Sequence, residues 1–310
     1  MKKILITGGS GFLGRNLAKK LKNKFSVVIS SRNHEKLIEA ADYCGCKYTT
    51  IDITNINSVR DVFNEIKPNY VIHAAASKYV DISENNPNET IDTNVLGSQN
   101  IARVSIDNKV TAVIGISTDK VAQPIYNIYA LSKSIMERLF FGLSNKTKTN
   151  FVSVRFGNIA WSTGSIFPLW ENMVKKHKTI FSTSPESTRF FISIEEAINL
   201  VTTALTYQKQ LNGKIITREM KSAKILNLLD VWCKKFKVKW KKINYRKGDS
   251  SYENLIGINE LKSSSYITIK NKKYILIDFA KNNLKIFKDT INSGNCKKLS
   301  NKEITKLCKF

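Results

Sequence analysis

Residues 3–14 read Lys3-Ile4-Leu5-Ile6-Thr7-Gly8-Gly9-Ser10-Gly11-Phe12-Leu13-Gly14, a short apolar run that breaks into glycines and then into a helical pattern through Leu21. Counted from Gly8 the spacing is Gly-x-x-Gly-x-x-Gly; counted from Gly9 it is Gly-x-Gly-x-x-Gly. Either count has the same physical content. Glycines allow a tight turn and close backbone approach, and the opening turn of the helix offers N–H groups and a positive dipole to a pyrophosphate. Thr7, Gly8, Ser10, Gly11, Phe12, Leu13 and Gly14 are the cofactor-binding residues expected of this loop.

The pattern continues outward from the loop. Strand-like runs are expected at 25–31, 47–51, 70–75, 112–117 and 150–156, and helices at 34–43, 57–66, 89–106, 129–143 and 169–176. Strands alternating with helices at this spacing mean an α/β chain with a doubly wound parallel Rossmann sheet covered on both faces. After about residue 215 the pattern changes to short, Lys-rich segments. We therefore expect a dinucleotide-binding domain over 1–165 with 190–215 interleaved, and a smaller C-terminal α/β substrate subdomain from 166–189 and 216–310.

The second strand distinguishes between cofactors. It ends Ser30-Ser31-Arg32-Asn33, with no carboxylate to bind a ribose 2′-hydroxyl. A guanidinium beside hydroxyls suits a 2′-phosphate, so Ser31 and Arg32 favour NADP over NAD. Asp52 and Ile53, after the third strand, are expected near the adenine.

The chemistry is expected at Ser117-Thr118-Asp119-Lys120, which ends a strand, and at Tyr129 and Lys133, which share one helix face at i, i+4. A tyrosine ionises near ~10. A nearby ammonium and a nicotinamide would stabilise the phenolate, so that Tyr129 takes a hydroxyl proton while Thr118 bonds the same oxygen.

With these residues in place the chain resembles the extended short-chain dehydrogenase/reductase superfamily, and within it the inverting UDP-N-acetylglucosamine 4,6-dehydratases of polysaccharide and pseudaminic-acid-type biosynthesis. The resemblance rests on 7–14, 71–76, 78–87, 93–97, 117–120, 129–133, 155–158 and 188–193, with a fainter echo at Arg246-Lys247-Gly248-Asp249 and Glu253. It implies that Asp119 is the acid protonating a departing C6 hydroxyl and Lys120 the base removing the C5 hydrogen. A lysine at 120, where retaining relatives carry glutamate, implies C5 inversion. It also implies cofactor contacts at Ala74, Ala75, Ala76, Lys78, Asn94 and Asn158, and substrate contacts at Lys78, Asn158, Ser165, Arg189, Arg246 and Glu253, with Arg155 closing the sixth strand. Arg189 and Arg246 would hold the diphosphate. The protein would be a homo-oligomer, a dimer or a hexamer. Departures from the family pattern fall on the substrate side: Tyr79 for a histidine, one extra residue between Pro124 and Tyr129, Trp161-Ser162-Thr163-Gly164 for Gly-Ser-Arg-Gly, and Tyr252 for a histidine.

Composition bounds these readings. The 310 residues carry 50 basic and 25 acidic groups, a net +25, of which residues 201–310 hold +17. Forty-one of the basic residues are Lys and only nine are Arg. Nucleic-acid recognition favours Arg and brings motifs absent from this sequence, so no nucleic-acid partner is expected. No apolar run is long enough for a membrane span, and the five scattered cysteines suit a reducing cytoplasm. No metal-ligand spacing emerges. Two rival readings stay open: a UDP-sugar 4-epimerase or 4-keto-reductase using Thr118, Tyr129 and Lys133, and a non-enzymatic Rossmann protein that binds polyanions.

Overall fold

The computed structural model describes residues 1–244 and 248–308. Its strands are β1 (Lys3–Thr7), β2 (Ser26–Ser31), β3 (Lys47–Thr50), β4 (Tyr70–His73), β5 (Ala112–Ile116), β6 (Asn150–Val154), β7 (Asn158–Ile159), β8 (Thr179–Ser182), β9 (Thr188–Ile192), β10 (Ile215–Thr217), β11 (Ser222–Lys224), β12 (Lys239–Lys242), β13 (Asn254–Ile256), β14 (Ser264–Ile269), β15 (Lys272–Ile277) and β16 (Ile291–Asn292). The helices are α1 (Phe12–Leu21), α2 (His34–Cys44), α3 (Ile56–Ile66), α4 (Val80–Asn85), α5 (Pro87–Ile91), α6 (Gly97–Asp107), α7 (Ile128–Ser144), α8 (Ile166–His177), α9 (Ile194–Thr206), α10 (Ile225–Phe236) and α11 (Asn301–Leu307).

The main sheet runs β14-β15-β10-β6-β5-β4-β1-β2-β3. From β3 across to β10 every pair is parallel, as the alternation of elements requires. Strand order reverses between β1 and β4, so a crevice opens there at the strands' carboxyl ends. β4 and β5 are buried at every position, which leaves both sheet faces to apolar packing. One face buries Ile4, Ile6 and Ile72 under α1, α2 and α9; the other buries Leu5, Val71 and Val113 under α3, α6 and α7.

Two local differences from the sequence pattern matter. The helix expected over 89–106 is present as α5 and α6, but with a π-helical stretch at Asp92–Leu96 between them. The wide π turn carries Asn94 inward, where its side chain is fully buried and bonded. The hairpin of β14 and β15, expected in the smaller C-terminal unit, instead extends the main sheet, antiparallel to β10. A separate apolar cluster around Phe167, Trp170 and Trp232 underlies α8, α10 and α11.

Candidate functional site

β1 ends in Thr7, fully buried against His73, and Gly8 turns the chain at φ 68°. A Cβ on Gly8 would lie 2.6 Å from the Ala75 nitrogen, and one on Gly14 would lie 2.5 Å from the Gly8 carbonyl oxygen. The loop therefore packs backbone to backbone against Ala74–Ala75 and against the first turn of α1. That turn has no side-chain cap and no acidic residue, so its N–H groups and dipole are left for an anion. Gly8, Ser10, Gly11, Phe12, Leu13 and Gly14 all line a cleft of about 510 Å³. The far wall brings in Ala74, Ala75, Ala76 and Lys78. The glycine cradle and the uncapped helix start fit a dinucleotide pyrophosphate.

The residues expected to select the cofactor stand apart from this cleft. Ser31 donates to the Asn33 carbonyl (3.3 Å), and Arg32 is exposed, 3.6 Å from Glu89. Asp52 accepts from the Thr54 amide and hydroxyl at 3.0 and 2.8 Å, which makes it the former of its own turn. Ile53 is buried beneath Gly97, where a Cβ would come within 2.6 Å of it.

β5 ends in the reacting group. Thr118 caps a single 3₁₀ turn at Asp119–Val121 and donates to Asp119 Oδ1 at 3.1 Å. Asp119 is buried, and its Oδ2 has no partner among the described residues. Burial raises this carboxyl, the Lys120 ammonium lowers it and Glu253 raises it, with a result of about 6. Lys120 Nζ donates to Glu253 Oε1 at 2.5 Å. Burial would raise Glu253, but Lys120 and Arg189 outweigh it and hold that carboxyl low.

α7 supplies the other two groups. Burial pushes the Tyr129 phenol up, the Thr118 hydroxyl draws it down and the Asp119 carboxyl pushes it up again. The i, i+4 spacing assigns the lowering to Lys133; in the folded chain Thr118 provides it. Lys133 is buried, its ammonium brought down to about 8 by desolvation and partly restored by Glu137.

Three charged residues near the substrate side are engaged by the protein itself. Arg189 lines the cleft, donates to the Thr188 and Ser250 carbonyls (2.9 and 2.7 Å) and lies 3.6 Å from Glu253. Glu253 is buried and serves as counter-charge to Lys120 and Arg189. Arg155 is fully buried between Glu137 and Glu260, at 2.7 and 2.8 Å, and also donates to the Leu255 carbonyl, so it joins β6 and α7 to β13 and the chain after it. Arg246 lies outside the described residues.

Other expected residues do face the cleft: Asn158 from β7, Lys78, and Ser165. Lys78 Nζ donates to the Thr163 carbonyl at 2.6 Å. Ser165 occupies the cap position of α8 but makes no capping bond, and its buried Oγ has no partner among the described residues. The first turn of α8 carries no acid and lines the same cleft through Ile166 and Phe167. A second uncapped helix start thus faces the cavity. Its sequence signal is faint, because an arginine advertises an anion site and a bare helix start does not.

A buried scaffold holds these groups. Asn94 clamps the Ser77 backbone at 2.8 and 2.9 Å and donates to Ser132 Oγ, which in turn donates to the Tyr129 carbonyl at 2.7 Å. His73 bridges Thr7 Oγ1 and Ser98 Oγ at 2.8 and 3.0 Å, and Ser98 reaches the Asn94 carbonyl. Desolvation drives His73 down to about 3, so the ring is neutral. Among the described residues no cluster of His, Cys, Asp or Glu could hold a metal ion.

The family of polysaccharide biosynthesis proteins matches residues 4–275 of this chain. The chain belongs to that family. It is 35% identical over 276 residues to a UDP-glucose 4-epimerase of Rickettsia bellii (strain OSU 85-389), covering 84% of this chain and 79% of that protein. It is 32% identical over 278 residues to the capsular polysaccharide biosynthesis protein CapD of Staphylococcus aureus, covering 84% of this chain and 46% of CapD. In structure it is similar to Pen from Bacillus thuringiensis, with a TM-score of 0.89, 27% identity, and coverage of 99% of this chain and 96% of that one. As a family member it is an extended short-chain dehydrogenase/reductase that modifies nucleotide sugars. Among the described residues no helix is long and apolar enough to cross a membrane.

Proposed function

We propose that this enzyme is an NADP-dependent nucleotide-sugar 4,6-dehydratase that acts on a UDP-sugar, UDP-N-acetylglucosamine, with inversion at C5. The observation that carries the reading is the buried Asp119 carboxyl beside the Lys120 ammonium, both reached from the Thr118–Tyr129 pair. An epimerase needs no second acid–base pair; elimination of water across C5–C6 does.

Gly8, Ser10, Gly11, Phe12, Leu13 and Gly14 would hold the cofactor pyrophosphate, Ser31 and Arg32 its 2′-phosphate, and Ala74–Ala76 with Asn158 the nicotinamide end. The nicotinamide, when bound, would supply a hydride acceptor and later a donor. Tyr129 takes the proton of the sugar's C4 hydroxyl and Thr118 bonds the same oxygen, with Lys133 holding positive charge beneath them. Oxidation at C4 makes the C5 hydrogen acidic. Lys120 removes that proton, and Asp119 delivers its own to the C6 hydroxyl, which departs as water. A carboxyl titrating near 6 stays partly protonated near neutrality, which an ordinary aspartate does not. C5 is then reprotonated on the opposite face, which inverts it. The diphosphate would lie at the α8 start, against the orphaned Ser165 Oγ.

One observation favours a second reading. The Lys120 ammonium is already engaged by Glu253, and a relative carries the name UDP-glucose 4-epimerase; a 4-epimerase would use Thr118, Tyr129 and Lys133 alone. Lys120→Met separates the two. Under the dehydratase reading it abolishes C5 hydrogen exchange in deuterated water while NADP binding is kept. Unchanged exchange in that variant removes Lys120 from the chemistry.

A further inference from the structure

Trp161 sits at φ 64°, in the left-handed region that bulky side chains rarely adopt. The residue opens a five-residue strap, Trp161 to Ser165, that crosses the cleft and ends at the start of α8. Ser162 through Ser165 line the cavity. On one side the strap is tied to the cofactor half: Lys78 donates to the Thr163 carbonyl at 2.6 Å, and Gly164, at φ 79°, lies so close to the Tyr79 ring that a Cβ would come within 2.2 Å of it.

The other tie runs to the end of the described chain. Trp161 Nε1 donates to the Leu307 carbonyl at 2.9 Å, on α11. The indole also packs 5.6 Å from Phe167 and 6.1 Å from Trp232, and Trp232 Nε1 in turn reaches Cys308 Sγ at 3.1 Å. Ile304 and Cys308 are fully buried in the same cluster. α11 is fixed from outside by the Ser300–Glu303 capping box and by the pairing of Glu303 with Lys221. α11 lies beyond residues 4–275, the stretch matched by the family.

These ties hold the indole of Trp161. The turn closed by the Ser162 amide on the Ile159 carbonyl (3.2 Å) puts Trp161 at its third position, where φ is positive, and the docked α11 offers the indole an acceptor and an aromatic bed. We propose that Trp161 is a positioning residue through which α11 holds the 161–165 strap, and with it the α8 start, in the conformation that binds the diphosphate of a nucleotide sugar. This rests on the nucleotide-sugar reading of the cleft. Loosening α11 frees the indole, and the strap and Ser165 move with it.

The test compares full-length wild type with Ile304→Ala, which weakens the seat of α11, with Trp161→Phe, which keeps an aromatic ring and removes the N–H donor, and with Trp161→Gly, which suits the backbone and removes the ring. Hydrogen–deuterium exchange is read at 162–165, with 8–14 as the control for an intact fold, and UDP binding is read by calorimetry. All three variants should exchange at 162–165 roughly tenfold faster than wild type with 8–14 unchanged. The Kd for UDP should rise by about tenfold. Unchanged exchange at 162–165, or an unchanged Kd in variants of a wild type that binds UDP, overturns the proposal. A wild type that does not bind UDP overturns the nucleotide-sugar reading itself, while the exchange result still decides whether α11 holds the strap.

Discussion

Lys120 Nζ lies 2.5 Å from Glu253 Oε1, joining the loop after β5 to the chain just before β13. The contact sets the charge around Asp119 as well, because Glu253 raises that carboxyl while Lys120 lowers it. Replacing Glu253 by Gln removes a negative neighbour and keeps the shape. The Asp119 carboxyl then falls below its value of about 6. If protonated Asp119 is the acid, activity is lost as pH rises through this pKa, so in Glu253→Gln that limb of the kcat–pH profile moves to lower pH. A limb that stays in place, or moves up, removes Asp119 from the acid role.

Arg155 makes a different kind of prediction. Among the described residues it is the cation bonded to the buried carboxylates of both Glu137 and Glu260. Arg155→Ala leaves two unscreened acids in the core and should cost about 3–5 kcal/mol of unfolding free energy. Urea denaturation at neutral pH measures it; a loss under about 1 kcal/mol would mean that the cluster relaxes or takes up protons freely.

His73 gives a pH signature. Its folded-state pKa, about 3, is depressed from 6.5, so the unfolded chain binds the extra proton between these values. Its contribution to stability is complete above pH 6.5 and falls by about 1.4 kcal/mol per pH unit as pH drops toward 3. The stability gap between wild type and His73→Gln should therefore narrow by about 2 kcal/mol from about pH 7.5 to about pH 5. A gap independent of pH would contradict a neutral, buried ring.

Arg32 bears on cofactor choice. Its guanidinium is exposed, and Glu89, the acid it meets, is exposed too and 3.6 Å away, so the contact is loose enough to let it turn toward a 2′-phosphate. Arg32→Ala should weaken NADP binding by about tenfold and leave NAD binding unchanged, as read by fluorescence titration. Equal losses for both cofactors would place Arg32 in general charge attraction rather than in 2′-phosphate recognition.

The parts of this site legible in the sequence are those fixed by local spacing. The glycines at 8, 11 and 14, the alternation of strands and helices, and the Tyr129–Lys133 spacing each carry their geometry within a few residues, and all reappear around one cleft. For Arg189, Arg155 and Glu253 the sequence shows the charge but not the partner. What separates them is the partner each meets at long range, Ser250, Glu260 and Lys120 respectively. The helix over 89–106 is legible, but its π turn at Asp92–Leu96 is not: it answers to Ser77 and Ser132, which Asn94 must reach. Trp161 is a bare departure from the family pattern in sequence, and its role depends on Leu307, 146 residues further on.

The most direct measurement is NMR of the product formed from UDP-N-acetylglucosamine by the NADP-loaded enzyme in deuterated water. A dehydratase with Asp119 as its acid and Lys120 as its base yields a UDP-4-keto-6-deoxy-L-hexosamine carrying deuterium at C5. UDP-N-acetylgalactosamine with its C6 hydroxyl intact and no deuterium at C5 would contradict it and leave a 4-epimerase.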